Sequence, residues 1–281
     1  MYKVLYNKKI SSNSYEMAVV APLTIKNFIP GQFVIIMGYI DSERIPLTIY
    51  DWDEKKGIVY LIYQVVGAST LELTTVKDEL FSIVGPLGNP SEICKDYKVF
   101  KGKRIVYVAG GVGIAPVYPQ VKWLTEKGFS VDVIYGSRTA NMLLIRDRIE
   151  KIANKISYAT DDGSFGTKGF VTDILKERIN DYDICVAIGP TIMMKNVCKL
   201  TKKYKVKTIV SMNPLMVDGS GMCGACRCIV DGKPKFACIH GPEFDGHKVD
   251  FALAEKRMRI YQKEEKEKLE KMKKKLKIKE I

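Results

Sequence analysis

A change of rhythm near residue 98 constrains the fold of this 281-residue chain more than any other feature. Before it, short β-rich runs such as FVIIMGYI and GIVYLIYQVV alternate with turn residues, which is typical of an antiparallel β-barrel. After it, apolar strands alternate with helices up to about residue 212, the pattern of a doubly wound α/β domain. A Gly- and Cys-rich segment and a charged tail follow. We therefore predict four regions: a β-barrel domain (1–98), an α/β nucleotide-binding domain (99–212), a small cysteine module (213–251) and a helical tail (252–281).

Composition and charge narrow the class of protein. Hydrophobic residues make up 46% of the chain, which supports buried cores. No apolar run reaches the roughly 18 residues of a membrane helix, so we predict no membrane association and a cytoplasmic location. The net charge of +13 raises nucleic acid as a partner. Much of that excess lies in the tail, where both signs mix at helical spacing. No separate basic face with interleaved aromatic residues is visible, so we predict no nucleic-acid partner.

The stretch RIVYVAGGVGIAPVYP predicts a strand, a glycine-rich turn and a helix. Gly110, Gly111 and Gly113 follow the apolar strand, and Pro116 suits the first turn of the helix, where a missing N–H costs nothing. Glycines allow backbone amides to approach a pyrophosphate closely. Because position 116 is not the last glycine of a GxGxxG motif, a purely structural tight turn is the alternative.

Four of the seven cysteines crowd the segment 213–251, unlike the dispersed spacing of a secreted disulfide framework. Cys223, Cys226 and Cys238 keep the frame of a plant-type [2Fe–2S] site, CxxxxCxxC with a distant fourth cysteine. Asp218 occupies the first ligand position, and a carboxylate is able to ligate iron. The spacing predicts that these four residues hold a [2Fe–2S] cluster.

Two other uses of the same cysteines remain open. Zinc would take the cysteines together with His240 or His247. Cys223 and Cys226 would alternatively form a CxxC dithiol pair. The remaining cysteines, Cys94, Cys185, Cys198 and Cys228, are predicted to be packed side chains.

The order of barrel, GGVGIAP turn and terminal cysteine segment resembles the ferredoxin-NADP reductase superfamily, in particular the electron-transfer subunits related to that of dihydroorotate dehydrogenase. The likeness extends over about residues 1–251, and most of it lies in MNPLMVDGSGMCGACRCIVDGKPKFACIHGPEFDGHKVDF. The small (alpha) subunits of NADH-dependent reduced ferredoxin:NADP oxidoreductase, also described as the sulfide dehydrogenase beta subunit, are the most similar group. They have a cluster held by one aspartate and three cysteines.

The resemblance implies FAD in the barrel, bound through an Arg-Pro-x-Ser/Thr turn and a later Gly-x-x-Thr loop. In this chain the arginine stands one place earlier than in that turn. The implied flavin-binding residues are Arg44, Ile45, Pro46, Leu47, Thr48, Ile62, Tyr63, Gln64, Gly67, Ser69 and Thr70.

The resemblance also implies a nicotinamide site along the glycine-rich turn and the ends of later strands. Its implied residues are Gly110, Gly111, Gly113, Pro116, Gly136, Arg138, Asp161, Asp162, Gly189, Pro190 and Met193. Family likeness favours NAD(H), whereas Arg138 beside a ribose 2′-phosphate would favour NADP(H). A loop rich in Asp and Gly is by default a turn, which is the alternative for the stretch that contains Asp161 and Asp162.

The function implied is that of a flavin-dependent NAD(P)H oxidoreductase subunit with FAD and a [2Fe–2S] cluster. It exchanges hydride with NAD(H) and single electrons with a partner, as in electron-bifurcating ferredoxin:NADP oxidoreductase. No side chain is required as a general acid or base. The implied partner is a larger flavin and iron–sulfur subunit in a heterodimer, with ferredoxin reached through it.

Three questions stay open. The first alternative is a dihydroorotate dehydrogenase electron-transfer subunit, which normally has cysteine where Asp218 stands. A zinc-binding basic module for nucleic acid is the alternative from another class. The tail predicts a charged helix that either helps to dock the partner or is simply solvated, and its narrow apolar stripe consists of Met258, Tyr261, Leu269, Met272 and Leu276.

Overall fold

The computed structural model describes residues 1–277 and contains two seven-stranded sheets and a two-stranded hairpin. The strands of the first sheet are β1 (Tyr2–Lys9), β2 (Ser14–Val20), β3 (Phe33–Met37), β4 (Ile45–Asp53), β5 (Ile58–Gln64), β6 (Glu79–Leu80) and β7 (Ser82–Leu87). All pairs in it are antiparallel, in the order β6-β1-β2-β5-β4-β3-β7. The predicted barrel is thus a curled antiparallel sheet with β6 and β7 at its edges.

Alternation along these strands builds the first core. Side chains of a strand point alternately to opposite faces, so every second residue enters the interior. Val34 and Ile36 of β3 and Ile45 and Ile49 of β4 lie in this core. Two short helices, α1 (Pro22–Ile25) and α2 (Ala68–Leu73), belong to the same part of the chain.

The second sheet has the order β11-β10-β9-β8-β12-β13-β16. Its strands are β8 (Ile105–Gly110), β9 (Val131–Ser137), β10 (Lys155–Thr160), β11 (Thr167–Lys168), β12 (Ile184–Ile188), β13 (Lys207–Ser211) and β16 (Glu243–Asp245). The first six are parallel, and continuous burial of β8 and β12 fits strands covered on both faces. The chain reverses its direction of winding between β8 and β12, the switch point at which such sheets bind ligands.

The helices beside this sheet are α3 (Glu92–Lys95), α4 (Ile114–Glu126), α5 (Arg146–Ile149), α6 (Val171–Arg178) and α7 (Thr191–Lys203). The sequence predicted the strand and helix alternation correctly, with one exception. The stretch ANMLLIRDRIEKIAN has the composition of a long helix but forms only the four-residue α5, because Ile145 adopts a left-handed conformation with φ 48°. Pro116 is the third residue of α4, still within the first turn, where its missing N–H leaves no bond unmade.

The cysteine segment does not stand apart from the two sheets. It contains the hairpin strands β14 (Arg227–Val230) and β15 (Lys233–Phe236), followed by α8 (Ala237–His240). Its strand β16 then pairs antiparallel with β13 and extends the second sheet by one edge strand. Helices α9 (Phe251–Arg257) and α10 (Gln262–Leu276) end the described chain.

Charged side chains join the two large sheets. Glu16 of β2 is buried and accepts a hydrogen bond from the Tyr50 hydroxyl of β4. Arg148 Nη1 of α5 lies 3.0 Å from Glu16 Oε1, and Lys8 Nζ lies 3.0 Å from Glu16 Oε2. A second ion pair joins Lys122 Nζ of α4 to an Asp51 carboxylate oxygen at 2.7 Å. None of the helices within residues 1–277 is both long and apolar enough to cross a membrane.

Candidate functional site

One face of the antiparallel sheet brings the implied flavin turn and the cysteine segment together. Thr48 pairs with Phe33, and Pro46 pairs with Ile35, so these four side chains share a face. Phe33 and Ile35 pack in turn against Met216, Cys226 and Cys238. The strand therefore presents its Pro46 and Thr48 positions beside the predicted cluster ligands, although residues 46 and 238 are far apart in sequence.

Arg44 reaches the cysteine segment instead of lying alone at the start of β4. Its Nη2 donates to the backbone carbonyl of Asp218 at 3.4 Å, and its Nε is buried without a partner in the described residues. The next residue, Ile45, occupies the position of the family's arginine but is buried in the sheet core. Because adjacent strand residues point to opposite faces, the displaced arginine lies on the side of the cysteine segment.

The loop that follows β5 is held by local hydrogen bonds. Thr70 Oγ1 accepts from the amides of Val66 at 3.0 Å and Gly67 at 3.2 Å and donates to the Gly67 carbonyl at 3.1 Å, so this hydroxyl shapes the turn. Ser69 donates to Glu43. Gly67 is extended, with φ −151°, and a Cβ atom there would meet nothing within 4 Å, so the turn does not itself require glycine.

The implied residues of β5 have a supporting role in the fold. Ile62 and Tyr63 are buried, and the Tyr63 hydroxyl donates to Asn7 at 2.9 Å. Gln64, which follows them, is partly exposed. Ile62 packs in the core shared with the parallel sheet, and Tyr63 packs in the core of the antiparallel sheet. Only the backbone of β5 and Gln64 are left to contact a ligand.

The glycines after β8 separate into structural and open positions. A Cβ on Gly113 would overlap the carbonyl of Ile188, and one on Gly110 would lie 2.5 Å from Met193 Sδ. Gly189 is equally tight, since its Cβ would lie 3.0 Å from Gly110. Gly111 has a positive φ of 54° and faces open space. Packing of β8 against the end of β12 thus accounts for most of these glycines, and Gly111 alone faces outward.

The other implied nicotinamide residues lie along the same carboxyl edge. Gly136 pairs with Ala159 near the ends of β9 and β10, and a Cβ on it would lie 2.5 Å from Val171. Arg138 and Asp161 are exposed just beyond these strands. Asp162 accepts from the Ser164 amide at 3.0 Å and from its hydroxyl at 2.6 Å, and these hydrogen bonds lower the pKa of Asp162. Asp162 therefore forms a turn, the alternative raised above.

The four predicted cluster ligands form two neighbouring pairs. Cys226 Sγ and Cys238 Sγ are 3.2 Å apart and buried. Asp218 Oδ2 accepts from the amide of Cys223 at 2.9 Å; Asp218 is partly buried and Cys223 is exposed. Among residues 1–277, no group of three or more His, Cys, Asp or Glu side chains is gathered as a metal site, so the two pairs do not meet at one point.

Local electrostatics favour a charged Asp218 and a protonated Cys238 thiol. The Ser220 amide, 2.7 Å from Asp218 Oδ1, is the main cause of the lowered pKa of Asp218. Burial, reinforced by the neighbouring Cys226, raises the pKa of Cys238 to about 12. Binding of iron by the Cys238 thiol therefore has to release its proton.

The segment fits a two-iron cluster in its donors and in its backbone. Each iron of a [2Fe–2S] centre takes two protein ligands, and the chain supplies two pairs. Gly219, Gly221 and Gly224 all have positive φ, between 67° and 85°, so the loop wraps in a way that favours glycine. The Cys238 amide already donates to Cys226 Sγ at 3.4 Å, the kind of contact that tunes cluster potential.

The structure gives the two competing metal and redox uses little support. His240 accepts from the Phe236 amide at 3.0 Å through Nδ1, and His247 Nε2 lies 3.0 Å from the Thr201 hydroxyl, so each imidazole is engaged elsewhere. Cys226 is buried with its thiol 3.2 Å from that of Cys238, whereas Cys223 is exposed and contacts Asp218, which does not favour a CxxC pair. The predicted packed cysteines, Cys94, Cys185, Cys198 and Cys228, are all buried.

Sequence reasoning missed one feature of the loop. Arg257 of α9 donates through Nη2 to the carbonyl of Ala225 at 3.1 Å, next to Cys226. With Arg44, this places a guanidinium against the backbone of each ligand pair. Only the folded structure reveals it, because Arg257 lies in no recognisable motif and the motif of Arg44 points to a flavin and not to the cysteine loop.

A curled antiparallel sheet joined to a doubly wound parallel sheet, with a cysteine loop on the former, defines the ferredoxin-NADP reductase class of fold. Family models match residues 107–199 (oxidoreductase NAD-binding domain) and residues 213–250 (iron-sulfur cluster binding domain of dihydroorotate dehydrogenase B). The chain belongs to the family of dihydroorotate dehydrogenase B electron transfer subunits and their homologues.

Individual relatives agree over nearly the whole chain. A Thermotoga maritima protein named dihydroorotate dehydrogenase B (NAD(+)), electron transfer subunit homolog, is 42% identical, with 94% of this chain and 93% of the relative covered. An uncharacterized protein in the adh 3′ region of Clostridium beijerinckii is 48% identical, with coverage of 94% and 92%. A chain of the NADH-dependent reduced ferredoxin-NADP oxidoreductase structure, which concerns flavin-based electron bifurcation, superposes with a TM-score of 0.86 at 39% identity, with coverage of 96% and 97%.

Proposed function

We propose that this chain is the FAD- and [2Fe–2S]-containing electron-transfer subunit of an oxidoreductase of the ferredoxin-NADP reductase type. It exchanges hydride with NAD(H) and single electrons with a partner subunit. The observation that carries the proposal is the shared sheet face on which Thr48 and Pro46 lie beside the residues packed on Cys226 and Cys238. A flavin held at that turn has the cluster segment as its immediate neighbour.

The bound cofactors supply the electron chemistry: a nicotinamide carries hydride, a flavin exchanges one or two electrons, and an iron–sulfur cluster exchanges one. The protein supplies position and surroundings. Asp218 with Cys223 and Cys226 with Cys238 are the proposed ligand pairs. Arg44, Pro46, Thr48 and the Gly67–Thr70 turn hold the flavin, and the carboxyl edge of β8, β9 and β12 receives the nicotinamide. No side chain is assigned to proton transfer.

We place a partner subunit against the cysteine loop. Four apolar side chains around this loop are exposed: Leu215 (53%), Val217 (42%), Met222 (88%) and Ile239 (40%). An apolar rim beside an electron carrier suits a surface that another subunit covers. We propose a larger flavin and iron–sulfur subunit as this partner, ferredoxin as the carrier reached through it, no nucleic acid, and a cytoplasmic location, which the seven free thiols support.

A dihydroorotate dehydrogenase electron-transfer subunit is the second candidate, because the relatives that share this family carry that name. The distinguishing experiment is co-purification from native cells. A clustered flavoprotein that reduces NADP or ferredoxin supports the first proposal, whereas a dihydroorotate-oxidising partner supports the second.

The cofactor assignment is tested on two matched cysteine variants. We expect anaerobically purified protein to contain FAD, two irons and acid-labile sulfide per chain, with an electron paramagnetic signal on reduction. Cys226→Ala should lose the iron. Cys228→Ala changes a buried cysteine two residues away, whose thiol lies 3.6 Å from the Lys235 carbonyl, and should keep it. Zinc in place of iron, or full iron content in Cys226→Ala, would contradict the assignment.

A further inference from the structure

Helix α10 uses its apolar stripe within the chain. Leu269, Met272 and Leu276 are partly buried against the core of the antiparallel sheet, where α10 packs on α2. The other two stripe residues, Met258 and Tyr261, remain 45% and 53% exposed. These three residues of α10 therefore pack within the chain, while docking of a partner by the tail stays a prediction.

A polar link continues from this packing to the flavin loop. Lys268 of α10 forms an ion pair with Glu43, and Ser69 at the start of α2 donates a hydrogen bond to the same carboxylate. Burial tends to raise the pKa of Glu43, but the bonds from Lys268 and Ser69 outweigh it and lower that pKa. Glu43 is thus ionised, and it lies between α10 and the Gly67–Thr70 turn.

An ionised carboxylate is an unfavourable neighbour for a phosphate, since like charges at short range repel. Lys268 supplies the opposite charge at this point. Helix α10 as a whole contains seven lysines against four glutamates, so it brings net positive charge to the same side of the sheet.

We infer that α10 is part of the flavin site. It fixes α2 and the Gly67–Thr70 turn by apolar packing, and Lys268 neutralises Glu43 so that the turn accepts the diphosphate of FAD. Lys268 acts as a positioning residue through Glu43 and does not itself need to touch the cofactor. The inference rests on the proposed function, in which this turn holds the flavin diphosphate.

The experiment measures the dissociation constant of FAD from flavin-stripped protein by the quenching of flavin fluorescence. Lys268→Ala should weaken FAD binding roughly three- to fivefold at low salt, the range of a surface charge pair. Lys268→Arg should restore the wild-type value. The matched control is Lys273→Ala, because Lys273 lies on the same helix and pairs at 3.0 Å with Glu270 of that helix.

Salt separates charge neutralisation from a merely structural effect. The difference between Lys268→Ala and the wild type should shrink as ionic strength rises, since screening weakens exposed pairs. A chain that ends after Tyr261 should lose FAD more severely and at all salt concentrations, because it also loses the packing of α10 on α2.

Failure of this inference is distinct from failure of the proposed function. Unchanged FAD affinity in both Lys268→Ala and the truncated chain, with a wild type that binds FAD, overturns only the role of α10. Equal weakening in Lys273→Ala also overturns it. A wild-type chain with no affinity for FAD removes the flavin site itself and this inference with it.

Discussion

At the scale of single residues, a one-place shift of an arginine changes what it touches. Ile45 fills the place of the family's arginine and faces the core, whereas Arg44 faces the cysteine loop and binds the Asp218 carbonyl. A guanidinium close to a cluster ligand stabilises the reduced, more negative state of that cluster. We therefore propose for Arg44 a role in the electrostatics of the cluster in addition to the proposed role in flavin binding.

We expect Arg44→Gln to shift the midpoint potential of the cluster to more negative values. Arg44→Lys keeps the positive charge and should move the potential less. The measurement is a redox titration followed by the electron paramagnetic signal of the reduced cluster, with iron content determined on each sample. An unchanged potential in Arg44→Gln at full iron occupancy would show that Arg44 serves only the flavin.

At the scale of elements, the pattern of strands and helices was readable from sequence because periodicity reports burial directly. β3, β5 and β8 lie in the quoted apolar runs, and β9, β10, β12 and β13 follow the predicted alternation of strands and helices. The contact between the cysteine loop and β3 was not readable, since Ile35 meets Gly219 across more than 180 residues. The sequence showed donor types and spacing in the cluster segment, whereas the pairing of those donors depends on how the loop folds onto the sheet.

Glycine substitutions separate structural from ligand-binding turns. Gly67→Ala should leave the thermal midpoint of flavin-free protein unchanged, because its Cβ meets nothing within 4 Å. It should weaken FAD binding roughly tenfold, equal to about 1.4 kcal/mol, by placing a methyl group where the diphosphate approaches. Gly113→Ala is the contrast: its Cβ overlaps the Ile188 carbonyl, so it should cost about 1–3 kcal/mol of stability. Normal FAD affinity in Gly67→Ala would argue against the turn as the diphosphate site.

At the scale of the whole molecule, buried charge fixes how the two sheets face each other. Glu16 is only 2% exposed and depends on Arg148 of the opposite domain, on Lys8 and on Tyr50. Burial alone would raise the pKa of Glu16, but the hydrogen bonds from Tyr50 and Lys8 and the charge of Arg148 outweigh it and lower the pKa. No sequence pattern announces this cluster, because its members come from β1, β2, β4 and α5.

We expect Arg148→Ala to destabilise the chain by about 1–3 kcal/mol near neutral pH, because it removes a partner from a buried carboxylate. The folded-state pKa of Glu16 is lowered, so its contribution is present above the unfolded pKa of about 4.5 and is lost as pH falls through the folded value. The difference between variant and wild type should therefore narrow in acid. Thermal unfolding followed from neutral pH down to about pH 2.5 measures it, with Arg104→Ala, which removes an exposed pair with Asp183, as the control. A difference that stays constant with pH would exclude Glu16 as its source.

Strand β16 has a mechanical consequence. The cysteine segment (213–251) bonds to the parallel sheet through the pairing of β16 with β13, and its loop packs on the antiparallel sheet at β3. A hinge motion between the two large sheets would break either the hydrogen bonds of β16 with β13 or the packing of the cysteine loop on β3. We therefore expect substrates to enter and leave through small rearrangements at the surface, with the spacing between the two halves held constant.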